Sequence, residues 1–164
     1  MITYADFSKE HKGLSQEQFL AKVRVPYLLM GAAPSPPRSA NAGFMTVKYT
    51  KEKLQESVAQ ETLFAVEKRT GSNAFAMMIT LGRASNNDLV VPDQRISKFH
   101  AYFRQVGSEW TISDANSRNG TFVDGVQVPT DKGYPITSGA RIKVAKSLEL
   151  EFLDPQALYA RLNR

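Results

Sequence analysis

Three short stretches of the chain concentrate side chains able to do chemistry. Residues 81–88 read LGRASNND, residues 92–100 read PDQRISKFH and residues 114–121 read DANSRNGT. They carry the cations Arg83, Arg95, Lys98 and Arg118, interleaved with hydroxyl and amide side chains. Guanidinium forks, hydroxyl donors and backbone N–H groups are what an oxygen-rich anion such as phosphate requires. Ser97 and His100 lie three residues apart and could be taken for a nucleophile and its base. That chemistry also needs an orienting acid and an oxyanion hole, and nearness in sequence supplies neither. No catalytic residue is assigned on that ground. The chain has no cysteine and only two histidines, His11 and His100. This excludes a disulfide scaffold, a thiolate metal site and a cysteine nucleophile, and no carboxylate cluster joins the histidines into a zinc site. No Walker or dinucleotide pattern occurs, so Gly82, Gly120 and Gly125 read as devices for tight turns or close packing. No metal, cofactor or small-molecule substrate is expected.

The elements that must position these stretches are strands. Of 164 residues, 42% are hydrophobic and 23% charged, a mix that can bury a core. From residue 61 the apolar period is two. Strands are predicted at 63–69, 74–83, 101–106, 109–113, 121–123 and 126–128, with further alternation at 141–144 and 148–152. Gly107-Ser108 and Asp124-Gly125 are hairpin dipeptides between them. Met77, Met78 and Trp110 read as strand core. Short strands with turn signals about every 8–12 residues argue an all-β sandwich. Asp154-Pro155 opens a last helix, Asp as N-cap and Pro in the first turn, with Leu158 and Leu162 on one stripe.

Residues before 61 differ in character. Ser15 and Gln18 form a capping-box pattern for a helix over 15–24, with Phe19, Leu20 and Val23 on one face and Pro26 ending it. Residues 31–43 (GAAPSPPRSANAG) form a proline-rich linker, 44–49 a possible strand, and 51–59 one or two helical turns. The expected division is an extension over 1–60, a sandwich over 61–154 and a short helix over 155–164. Phe19, Leu20, Val23, Tyr27, Leu28 and Leu29 are too many apolar side chains to leave in water. Residues 14–30 are therefore expected to pack on the sandwich, away from the cationic loops. The net charge is +5 without a long run of like charge, so nucleic acid is an unlikely partner. Apolar runs fall short of a membrane span and the N-terminus lacks a signal pattern. The expectation is a soluble, cytoplasmic chain.

The blocks Gly82-Arg83, Asn87-Asp88, Ser97-Lys98-Phe99-His100 and Ser117-Arg118-Asn119-Gly120-Thr121 occur in order and at the spacings of one family pattern. In them the chain resembles the forkhead-associated (FHA) domain, over roughly residues 62–153. The resemblance implies a two-sheet β-sandwich of about eleven strands that binds phosphothreonine peptides. It implies that Arg83 grips the phosphate, Ser97 donates its hydroxyl to a phosphate oxygen, and Asn119 bonds the peptide backbone. Lys98 stands where the family often has arginine, and supplies charge without a bidentate fork. Arg95 and Arg118 tune partner sequence. His100 organises the loops, as do Gly82, Asn87, Asp88, Ser117 and Gly120. The implied function is a phosphopeptide-binding adaptor in Ser/Thr kinase signalling, its partner a Thr-phosphorylated kinase or kinase substrate, and not an enzyme. The alternative is a phosphate-independent interaction scaffold that uses the FHA fold and the N-terminal segment.

Overall fold

The computed structural model describes residues 1–31, 61–145 and 148–164. The linker from residue 32 to 43, the strand at 44–49 and the helical turns at 51–59 lie outside the described residues.

Two sheets face each other. The larger has seven strands in the order β1 (Ile2–Thr3), β3 (Thr62–Ala65), β2 (Tyr27–Met30), β12 (Leu148–Leu153), β11 (Arg141–Val144), β8 (Thr121–Val123) and β9 (Val126–Gln127). The smaller has five, in the order β10 (Tyr134–Ile136), β7 (Glu109–Asp114), β6 (Ala101–Val106), β4 (Ile79–Gly82) and β5 (Leu89–Val90). All pairings are antiparallel except β4 with β5. Helix α1 (Tyr4–His11), helix α2 (Gln16–Lys22) and helix α3 (Pro155–Leu162) complete the described residues. None of them is long and apolar enough to cross a membrane.

The core between the sheets follows from the period of two. Leu28, Phe64, Leu150 and Phe152 meet Leu81, Ala101, Phe103 and Ile112 there, all buried. Leu28 pairs with Phe64 on one side and Phe152 on the other, so cross-strand contact adds to burial. The alternate residues Leu29, Leu63 and Leu153 point the other way. They form a second cluster with Phe7, Phe19 and Leu158 from the three helices and Val23 at the end of α2. This part of the larger sheet is thus covered on both faces.

Helix α2 starts as its capping box requires, with the Ser15 hydroxyl accepting from Gln18 N–H and the Gln18 side chain accepting from Ser15 N–H. Asp154 caps α3 with Pro at its start. Asp124-Gly125 makes its turn with φ of 49° and 84°, the double-positive conformation of a tight hairpin.

Several expectations need correction. Strand β4 occupies only 79–82 of the predicted 74–83, and residues 74–78 form turns. Met77 is therefore not core but 80% exposed, and Met78 lies just before the strand and is only half-buried. Strand β3 stops at Ala65 rather than 69. Strand β2 and helix α1 were not legible: Tyr27-Leu28-Leu29-Met30 is covered on both faces and shows no alternation, and α1 buries only Phe7. Because β2 lies between β3 and β12, the first 31 residues lend two strands to the larger sheet and are not only an appendage to it. The described residues hold twelve strands against about eleven expected.

Phe19 tests the second cluster. Its ring is fully buried beside Phe7 and Tyr159, with centroids 6.3 and 5.3 Å away. Phe19→Ala is expected to lower unfolding free energy by about 3–5 kcal/mol, as read by urea denaturation. A change within experimental error would mean that the helices do not seal this face.

Candidate functional site

The three chemical stretches are the loops β4–β5 (residues 83–88), β5–β6 (91–100) and β7–β8 (115–120), and they are bonded to one another. Arg83 N–H donates to the Ser97 carbonyl at 3.1 Å and Ala84 N–H to that of Lys98 at 3.3 Å. Arg118 N–H donates to Ser97 Oγ at 3.0 Å, and Asn119 Nδ2 to the Arg95 carbonyl at 2.8 Å. Every loop therefore holds a second one by polar contacts, and the middle loop touches both of the others.

His100 ties this arrangement to the core. It is fully buried. Ser97 N–H donates to its Nδ1 at 3.1 Å, and its Nε2 lies 3.1 Å from the Gly120 carbonyl. An N–H can only donate and a carbonyl can only accept, so the ring is neutral with its proton on Nε2. Burial pushes its pKa down, more than the Gly120 bond and the nearby Asp114 charge push it up. Its main-chain N–H and carbonyl bond Leu81 and Ala115. Ser97 meets this ring through its backbone, while its hydroxyl oxygen accepts from Arg118. The geometry of a nucleophile poised on a base is therefore absent from this pair.

Gly82 makes the closest approach. A Cβ there would run into the Lys98 carbonyl oxygen and lie 2.8 Å from Asn87 Nδ2. Buried Asn87 uses that same nitrogen to bond the Lys98 and Ala84 carbonyls at 2.6 and 2.9 Å. On the third loop the buried Asp114 accepts from Ser117 N–H, Ser117 Oγ and Thr121 Oγ1, the last two at 2.6 Å. Ser117 Oγ in turn accepts from Gly120 N–H at 3.0 Å.

Asp88 is the centre of a second network. Its side chain is fully buried and forms an ion pair with Lys68 Nζ at 2.9 Å. It also accepts from Ser72 Oγ, Arg69 N–H, Thr80 N–H and Thr80 Oγ1. Burial alone would raise its pKa. The bonds from Ser72, Thr80, Lys68 and Arg69 outweigh burial and hold the carboxyl far below the usual carboxylate range. Asn73 extends the network to the Asn86 carbonyl at 3.0 Å.

The sequence reading placed Gly82, Asn87, Asp88, Ser117, Gly120 and His100 as loop organisers, and all six lie within these networks. It included Asp114 and Thr121 in the third stretch but gave them no role, although an aspartate three residues before Ser117 is a readable capping signal. It missed Lys68, Ser72, Asn73 and Thr80. These are 8–20 residues from Asp88 in sequence, and nothing local marks them.

Outside this frame stand the cations. Arg83, Lys98 and Arg118 are exposed, and their side chains have no ion-pair partner among the described residues. Ser97 and Asn119 are half-buried between them. Arg95 differs: its guanidinium pairs with Asp93, two residues away, and that bond lowers the Asp93 pKa. The site thus presents three cations, one hydroxyl and one amide on loops fixed by buried groups.

Acid should dismantle this frame in two steps. The lowered His100 pKa means that the unfolded chain binds a proton below about 6.5 that the folded ring refuses, so stability falls as pH drops below that value. The depressed Asp88 pKa stabilises fully above about 3.8 and is lost as pH falls below it. NMR of the His100 ring is expected to show the neutral Nε2–H form at pH 6.5, with unfolding free energy decreasing below it. A ring already protonated at that pH would refute the assignment.

A model of the FHA domain family matches residues 79–145, the span from β4 through β11. The FHA domain-containing protein FhaB of Mycolicibacterium smegmatis is 37% identical over 70 residues, 43% of this chain and 44% of the relative. FhaB of Mycobacterium tuberculosis is 39% identical over 64 residues, 39% of this chain and 41% of the relative. The chain thus spans less than half the length of these relatives. The solved FHA domain of an Arabidopsis thaliana hypothetical protein shares the fold, with a TM-score of 0.53 at 16% identity, over 80% of this chain and 86% of that one. All three interlocked loops fall inside residues 79–145, the span of this chain that matches the FHA domain family.

Proposed function

We propose that this chain binds a phosphothreonine-bearing segment of a protein partner across the three loops. The observation that carries the reading is the exposure of Arg83, Lys98 and Arg118 on loops held by buried hydrogen bonds. A phosphothreonine brings a charge of about −1.5 to −2 and three acceptor oxygens. The Arg83 guanidinium offers two parallel donors to it. Ser97 Oγ already accepts from Arg118 N–H, so its own proton is left to donate to a phosphate oxygen. Asn119 spends Nδ2 on the Arg95 carbonyl, which leaves its Oδ1 to accept a peptide N–H. Lys98 adds charge, while Arg95 and Arg118 face the residues beside the phosphothreonine.

Each charge-assisted bond contributes roughly 1.5–3 kcal/mol. A few of them, less association costs, support micromolar binding, about −8 kcal/mol. The domain so placed is an adaptor in the cytoplasm, joining products of a Ser/Thr kinase to other components. The domain limits proposed are an extension over 1–60, the sandwich over 61–154 and a terminal helix over 155–164, with the extension lending strands to the larger sheet.

Fluorescence anisotropy with matched phosphorylated and unphosphorylated threonine peptides tests the reading. Arg83→Ala is expected to weaken phosphopeptide binding by about tenfold to a hundredfold. Its melting temperature is expected to stay unchanged, because Arg83 holds Ser97 through a backbone N–H that alanine keeps. Equal affinity of the wild type for both peptides would favour the phosphate-independent scaffold instead.

A further inference from the structure

An aromatic stack crosses the outer side of the smaller sheet next to the cationic loops. Phe75 stacks on Phe99 at 5.8 Å with rings 10° from parallel, and Phe99 on Tyr102 at 6.1 Å and 24°. The Arg104 guanidinium lies over the Tyr102 ring at 5.1 Å. Tyr102 is buried, but Phe75 at the other end is 50% exposed and Met77 80% exposed. Val106 and Val126, also exposed, sit at hairpin turns elsewhere. Phe75 and Met77 sit on a turn that is held in place. Phe75 N–H bonds Asn73 Oδ1, Met78 N–H bonds the Phe75 carbonyl, and Asn73 bonds the Asn86 carbonyl of the β4–β5 loop. Folding explains the inner rings and leaves the outer end of the stack unused.

We propose that Phe75 and Met77 form a second contact for the phosphothreonine-bearing partner, taking one large apolar side chain from the segment that flanks the phosphorylated residue. The proposal rests on the phosphothreonine reading above. Continuity supports it. Phe99 lies between Lys98 and His100 in the β5–β6 loop, so the stack begins where the cationic surface ends. Five extended residues reach about 17 Å, enough to pass from those loops onto the rings. An ordered aromatic face costs little conformational entropy on binding, and the methionine beside it adapts to the shape of its occupant.

A second copy of the chain fits less well. A half-exposed phenylalanine and an exposed methionine offer on the order of 200–250 Å², well under the ~800 Å² each partner contributes to a stable complex. A two-fold contact on this patch would also bring Lys98 and Arg104 of one copy towards their equivalents. An apolar side chain flanked by acids meets these cations favourably.

The test is a phosphothreonine peptide with alanine at every other position, into which leucine or phenylalanine is placed singly, from five residues before the phosphothreonine to five after. Wild type is expected to gain about five- to tenfold in affinity at one or two positions. The double variant Phe75→Ala with Met77→Ser is expected to lose that gain, while its affinity for the all-alanine peptide stays within about twofold. Phe75→Leu is expected to keep most of the gain, and Met77→Ser alone, at a largely exposed side chain, to lose part of it without touching the fold. A gain that survives in the double and Met77→Ser variants, or no gain at any position, overturns the proposal while leaving the phosphothreonine reading standing. Wild-type self-association that the double variant abolishes would assign the patch to a second copy. If no phosphorylated peptide binds wild type at all, the reading of the loops fails and this inference with it.

Discussion

The loops depend on one neutral imidazole. His100 accepts from Ser97 N–H on one side and donates to the Gly120 carbonyl on the other, while its own backbone bonds Leu81 and Ala115. These four partners belong to β4, the β5–β6 loop and the two ends of the β7–β8 loop, so a single residue fixes the separation of all of them. Only one tautomer serves, selected by these two hydrogen bonds, and burial keeps the ring neutral by opposing protonation. Lysine or arginine would carry charge into the core, and glutamine would lack the rigid plane that sets both bonds at once. The close approach of Gly82 to the Lys98 carbonyl belongs to the same constraint, since the loop that His100 anchors passes directly over that strand end.

Charge is sorted by depth around this frame. The carboxylates of Asp88 and Asp114 face inward and are saturated by donors from the protein, Lys68 among them. Arg83, Lys98 and Arg118 face outward. Had the acids pointed to the same surface, they would have neutralised these cations in the unliganded protein, and an incoming anion would have to displace them. Asp93 does this to Arg95 alone, which separates that arginine in character from the other three. Mutual repulsion among unpaired surface cations is modest in water, and the buried networks bear it.

Much of this was readable from residue order because hairpin dipeptides, capping pairs and alternating apolar residues are local signals. The α2 capping box, the Asp154 cap, the Asp124-Gly125 turn and strands β6 and β7 are of that kind. What stayed hidden is non-local or lacks a period. Tyr27–Met30 is buried on both faces, so alternation has nothing to report. Residues 74–78 look like strand, yet Asn73 is drawn to Asp88 and the chain turns there, which puts Met77 into solvent. Arg95 reads like the other loop cations, and only the fold shows its guanidinium turned back onto Asp93, two residues before it.

On the proposed phosphothreonine reading, a rigid frame is what would let the site select threonine over serine. The two phosphorylated residues offer the same charge and the same oxygens, and differ by one methyl group. Transfer of that methyl into an apolar site is worth about 0.8 kcal/mol, or roughly fourfold. Loops free to relax would close around either residue and approach that limit. Loops fixed by Asn87, His100 and Asp114 cannot collapse into the space left by a missing methyl, so serine would leave a void and lose contacts on every side of it. Sharper discrimination would then come, on that reading, from the buried hydrogen bonds beneath the surface and not from the exposed cations.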